Sequence, residues 1–289
     1  LSGQTKFDSY DSRKGLPDSF HNRTDKVTVA SVSKDSDALT LSSDVDIYGY
    51  AGTGQQLPYI SGSNNKIRGE SSPYGNIDWS RVYQDFTFDF PQVVEPSWSG
   101  AATKLPPKKD GFITLGMWSG SMTKYKVDKL DLSGENVRVV GPVQIHLKDG
   151  MSISGGAFIQ IDDGGSIEIF SPKDFTFSGH AIANHTNRPG NFKVFGTATQ
   201  PNDQTLSLSG EGLIQAVFYM PYGKVNISGT GDFAGSLIAN ESTVSGQGTF
   251  HYDVSLGGSG GVEAQSISGW AELTKTKHQM DFQVYLGKG

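Results

Sequence analysis

The chain has 289 residues, no cysteine and a formal net charge of -6. Disulfide frameworks, thiol catalysis and thiolate metal sites are therefore excluded, and so is a nucleic-acid binder that works by neutralising phosphates. Glycine supplies 37 residues with no Gly-X-Y period, and hydrophobic residues are 35%; against a usual glycine content of ~7% this is the composition of a β-rich, turn-rich fold. No apolar run approaches the length of a membrane-spanning helix.

Taken in chain order, the strand signals are short and numerous. "KVTVASV" (26–32) and "ALTLSSDVDIYGY" (38–50) alternate apolar and polar residues, with a break at Ser42-Ser43. "NIDWSRVYQDF" (76–86) is the best helical candidate, one or two turns with Ile77, Val82 and Phe86 inward. "FTFDF" (86–90) alternates again. The stretch 90–111 has four prolines and reads as an excursion or linker. From about residue 112 onward come "KLDLSG", "VQIHLKDG", "FIQIDDGG", "FTFSG", "LSLSG", "VNISG" and "STVSG". Each ends at Gly, Asp-Gly or Ser-Gly, and alternation implies one buried and one wet face.

An apolar-x-apolar strand closed by Ser-Gly recurs at Gly134, Gly155, Gly179, Gly210, Gly229, Gly246 and Gly269. The serines are 21, 24, 31, 19, 17 and 23 residues apart, about the length of one three-stranded coil. The expected fold is all-β: a right-handed parallel β-helix with an irregular N-terminal segment, with a β-sandwich as the alternative. Glycines would sit at corners that need positive φ or close backbone approach. The 31-residue interval needs longer loops, which "HTNRPGN" (185–191) and "TQPNDQ" (199–204) supply. The expected organisation is a cap segment (1–26), N-terminal coils (27–75), a linker with a short helix (76–111), a main β-helix (112–273) and a C-terminal strand or tail (274–289). "DSYDS" (8–12) and the tail are the candidate end caps, since bare coil ends invite edge-to-edge association.

"VNISGTGDFAGSLIANESTVSGQGTFHYDVSL" (225–256) resembles a bacterial surface β-helix domain family associated with type IV pilus assembly, of the PilX-N-terminal or polymer-forming type. "FYMPYGKV" (218–225), "SGWAEL" (268–273) and "FDSYDSRKG" (7–15) are similar to its preceding coil, closing segment and opening element. The lysine-rich loop near Lys108 and the tail "TKTKHQMDFQVYLGKG" (274–289) depart from its pattern. The resemblance implies a pilus-associated or other cell-surface structural protein, extracellular or else periplasmic, with no catalytic residues to carry over. It raises the expectation of a pilin-like anchor upstream of Leu1, with no membrane span in the chain itself.

His251 and Asp253, with Tyr252 between them, are the most site-like cluster. One reading is a metal or ligand site joined by His180 or His185; the other is that they satisfy backbone groups at the end of the stack. Asp162-Asp163 with Gly164-Gly165 could offer carboxylates to calcium, the one cofactor entertained, or an acid/base pair to a polysaccharide lyase or hydrolase; Asp-Gly is also common turn chemistry. Trp98, Trp118, Tyr219 and Tyr222 could form a sugar-stacking platform or simply cover coil ends. Binding to a crystalline surface would need a regular outward array of Ser or Thr, and Asn226, Glu168 and Gln160 make the outward positions look mixed. The expected function is therefore a non-catalytic surface or adhesive module with protein or glycan partners, with a polysaccharide-degrading enzyme and a glycan- or surface-binding module as the alternatives.

Overall fold

The computed structural model describes residues 1–17, 21–97 and 104–257, together with the backbone of Val284–Leu286. Trp98, Gly269, the "SGWAEL" segment and most of the tail lie outside the described residues. The described residues form an all-β parallel solenoid of about nine turns. No α-helix occurs among the described residues, and "NIDWSRVYQDF" forms a 3-10 turn, Trp79–Arg81, leading into the short strand Val82–Tyr83.

Each turn contributes strands to three faces. On one face Tyr125, Ile145, Ile169, Val194, Phe218 and Leu237 stack in register. On the second, Leu132, Ile153, Phe177, Leu208, Ile227 and Val244 do the same. On the third, Leu115, Val139 and Ile161 align. All but the half-buried Ile227 are buried. The alternation seen in the sequence is thus the pleat of parallel strands, with each inward β-branched or aromatic side chain resting on its counterpart one turn below. Such a side chain contributes roughly 1.5–3 kcal/mol on burial.

Corners are built on one backbone device. Gly134, Gly155, Gly179, Gly210, Gly229 and Gly246 all have φ between 62° and 152°. The corner at Gly229 also has no room for a side chain, because a Cβ there would sit 2.5 Å from the Gly210 carbonyl oxygen. Strands bend through some corners without interruption. "VNISGTGDFAGSLIAN" spans two long strands, Ile214–Gly229 and Phe233–Val244, rather than separate four-residue pieces. A register shift between Met220 and Lys224 marks where the pair turns from one face to the next.

The order of turns along the stack is not the order of the chain. The strand Lys6–Tyr10 pairs in parallel with Thr249–Asp253 on one side and with Asp46–Gly52 on the other. The N-terminal coils therefore continue the stack beyond its C-terminal turn. "DSYDS", expected as a cap, is instead an interior rung: Asp8–Tyr10 pair with His251–Asp253 on one edge, and Ser9 exchanges backbone hydrogen bonds with Thr24 on the other. Phe233, Phe250 and Phe7 form one column across this seam, with ring centroids 5.3 and 5.0 Å apart. Leu1 is part of the same continuation, for its carbonyl accepts from Ser42 N and Ser2 N donates to the Val244 carbonyl, each at 2.9 Å. The backbone of Val284–Leu286 lies between the strand Phe233–Val244 and the strand Val27–Ala30.

The permuted order gives the proline-rich segment its task. It leaves the N-terminal coils at Tyr83 and must reach the opposite end of the stack, where Phe112–Leu115 begins the first turn. On the way it crosses an outward column of His146, Phe170, Phe195, Tyr219 and Ile238, one residue per turn. Phe86 and Val93 are buried on that column, and Phe88 and Phe90 pack against it. The Tyr219 hydroxyl donates to the Pro91 carbonyl at 2.6 Å, and burial pushes that hydroxyl's pKa up. The segment is a strap that turns an outward aromatic stripe into a second small core.

Candidate functional site

His251, Tyr252 and Asp253 sit on the seam rather than at a stack end. Asp253 is fully buried. Its Oδ1 accepts from Ser12 N and from Ser255 N at 3.0 Å each, and its Oδ2 accepts from Ser255 Oγ at 2.8 Å. His251 Nδ1 is 2.6 Å from Asp8 Oδ1, and Arg23 Nε is 2.9 Å from Asp8 Oδ2. These groups tie the last turn of the main stack to the first strand of the chain. One backbone group that Asp253 satisfies, Ser12 N, belongs to a next turn that does exist, supplied from 241 residues away; the other, Ser255 N, is local.

The other histidines are elsewhere. His180 follows the strand Phe175–Ser178, and its ring lies against Gly212. His185 follows Ile182–Asn184, its N–H donating to the Ile161 carbonyl at 3.0 Å. Among the described residues no group of three or more His, Cys, Asp or Glu is arranged to hold a metal ion. Asp162 is bound by Arg138 Nε and by Gln160 Nε2, each at 2.6 Å. Burial acts to raise the Asp162 carboxyl, but these hydrogen bonds and the Arg138 charge outweigh it and hold it below the usual carboxylate range.

The described aromatic candidates, Trp118, Tyr219 and Tyr222, lie in three different places. Tyr219 is under the strap. Trp118 is 72% exposed in the loop between Phe112–Leu115 and Thr123–Val127, on the first turn. Tyr222 lies at the bend between Met220 and Lys224, where its carbonyl accepts from Asn202 N at 2.7 Å.

What the fold does assemble is a face. Asn226, Glu168 and Gln160, which made the outward positions look mixed, belong to three different faces. On the face of Asn226, the outward residues of five successive turns are Ser152, Thr176, Ser207, Asn226 and Thr243, in register. Two residues further on in the same turns come Ser154, Ser178, Ser209, Ser228 and Ser245. Nine of these ten side chains carry a hydroxyl and the tenth an amide; none is charged and none is buried. Parallel strands place the rungs about 4.8 Å apart and the two columns about 6.6 Å apart. Ser209 Oγ reaches Ser178 Oγ at 3.4 Å along the second column.

The serine column runs further than the spacing of "ISG" motifs indicates. It continues as Ser2-Gly3, then Ser42-Ser43, then Ser61-Gly62, with φ of 81°, 70° and 95° at the second residue of each pair. Ser42 and Ser61 are register partners. A signal for this was present: "LSGQTKF" at the start of the chain matches "VSGQGTF" at 244–250 in its Ser-Gly-Gln and its phenylalanine. Those two segments are stacked neighbours.

No curated protein and no solved structure matches the chain. The family model described as a domain of unknown function, DUF7305, matches residues 108–259. That is just over half of the 289 residues, from the start of the main stack to the seam, and the chain belongs to this family.

Proposed function

We propose that the chain is a non-catalytic structural module of the cell surface, held with a pilus or another surface protein, and that it meets protein or glycan partners through its hydroxyl face. The observation that carries this reading is that face: ten uncharged polar side chains in two registered columns on a rod. Interior and corner residues are consumed by stacking, so the outward columns are where a partner would meet the chain. The resemblance of residues 225–256 to pilus-associated surface proteins supports the setting. A polysaccharide-cleaving role would call for a carboxyl that exchanges a proton near neutral pH. The pairing of Asp162 with Arg138 holds that carboxyl below the usual carboxylate range, which suits Asp162 poorly to that acid role.

The test is retention of the purified chain on a sheared pilus and cell-surface fraction. Wild type should be retained, and a variant carrying Thr176→Asp, Ser207→Asp and Asn226→Asp should not, because three carboxylates would then crowd one column. Equal retention of both chains, or none of either, removes the proposal. So does finding the native protein only inside intact cells by surface labelling.

A further inference from the structure

The strap leaves a cavity at the first turns of the stack. Beyond Val93 it reaches Glu95, whose Oε2 is 3.5 Å from Nδ1 of the buried His146. There a cavity of about 680 Å³ opens between strap and coils. Charged side chains converge on it: Glu95 and Lys104 from the strap side, Lys126 and Asp128 from the first turn, Lys148 from the second. His146 stands at its base, its ring 5.1 Å from that of Phe170. Lys126 and His146 are register partners, and Lys148 N donates to the Val127 carbonyl at 3.2 Å, so these side chains come from adjacent rungs of one rigid sheet. The volume lies within the range of small-molecule sites.

We propose that this cavity binds a sugar acid, a short oligosaccharide bearing carboxylates. The charge pattern selects that class. Three exposed lysines can neutralise and hydrogen-bond a carboxylate. Two acidic residues in the same wall disfavour a densely charged polyanion such as a polyphosphate, yet they accept hydrogen bonds from hydroxyls. A ligand with one carboxylate per sugar and several hydroxyls meets both requirements. The described lining is dominated by charged side chains, whose strongest contacts are with a charged ligand rather than with a neutral sugar. The inference goes beyond the display reading and does not rest on it. It concerns a ligand of the purified chain, whereas that reading is tested on cells and pilus fractions.

Isothermal titration of the whole chain with a galacturonate trisaccharide, a matched galactose trisaccharide and inorganic phosphate tests it. The acidic trisaccharide should bind and the other two should not at the same concentrations. Each lysine-carboxylate contact removed by Lys126→Gln or Lys148→Gln should weaken binding about tenfold. Lys104→Gln, on the strap rather than on the sheet, should weaken it too without touching a ladder. Circular dichroism of each variant should match wild type, since all three lysines are exposed. Absence of binding by the acidic trisaccharide overturns the proposal. Equal binding of the neutral sugar or of phosphate, or unchanged affinity in the Lys126→Gln/Lys148→Gln double variant, overturns it as well.

Discussion

Replacing Asp253 by alanine should release the N-terminal strand from the stack. Its carboxylate is fully buried and accepts three hydrogen bonds, one of them from Ser12 across the seam. Removing it orphans the Ser12 N–H, and bonds to a charged acceptor are worth about 1.5–3 kcal/mol each. The two bonds from Ser255 are partly recovered by water, because Ser255 is only half-buried. The sum is about 3–5 kcal/mol of local stability. Asn keeps one acceptor oxygen in place and should cost only about 1 kcal/mol. Hydrogen–deuterium exchange read by peptide is the assay. In Asp253→Ala, amides of Lys6–Tyr10 should exchange about two to three orders of magnitude faster, at tenfold per 1.4 kcal/mol. Those of Met151–Ser154, in the middle of the main stack, should not change. If the 3-10 turn Val254–Leu256 alone loosens and Lys6–Tyr10 stays protected, Asp253 serves only its own turn and does not hold the seam.

Two further outcomes follow from single residues. Ser43 holds a corner position at φ 70° that glycine holds in the neighbouring turns, so Ser43→Gly should raise stability by about 0.5–1 kcal/mol; a urea midpoint that stays put or falls would contradict this. Burial lowers the pKa of His146, Lys126 and Lys124 lower it further, Glu95 opposes them, and the net direction is down. The unfolded chain therefore takes up a proton first as pH falls below about 6.5, and stability drops from there until the folded pKa is reached. The thermal midpoint of wild type should fall more steeply below about pH 6.5 than that of His146→Gln, and parallel curves for the two proteins would refute the assignment.

Much of the local architecture was legible in the chain because it is local. An apolar-x-apolar pair followed by Ser-Gly states a strand, its inward face and the positive-φ corner that ends it, and the return of that unit at about 20 residues states a solenoid. The stacking partner of the first coil was harder to read. Chain order suggests that residues 27–75 precede the main stack, and the only hint otherwise was the "SGQ" shared by 2–4 and 245–247. His251 and Asp253 were recognisable as unusual, but their partners, Asp8 and Ser12, are more than 240 residues distant in sequence. The strap looked like a linker because prolines and missing alternation are what the sequence displays. That its phenylalanines cover a column contributed by five separate turns is invisible in one dimension.

The division has a physical origin. Pleat, period and corner depend on neighbouring residues and on the φ that glycine alone adopts freely, so the sequence by itself determined a parallel, Gly-cornered β-solenoid. Which turn lies on which depends on matching edges and side-chain columns between segments with no proximity along the chain. The Phe233–Phe250–Phe7 column, the Asp253–Ser12 bond and the strap over Tyr219 decided that only in three dimensions. The same holds for the hydroxyl face and the lysine-rimmed cavity, since each gathers residues that the sequence keeps about 17 to 50 positions apart and that only stacking at about 4.8 Å brings side by side.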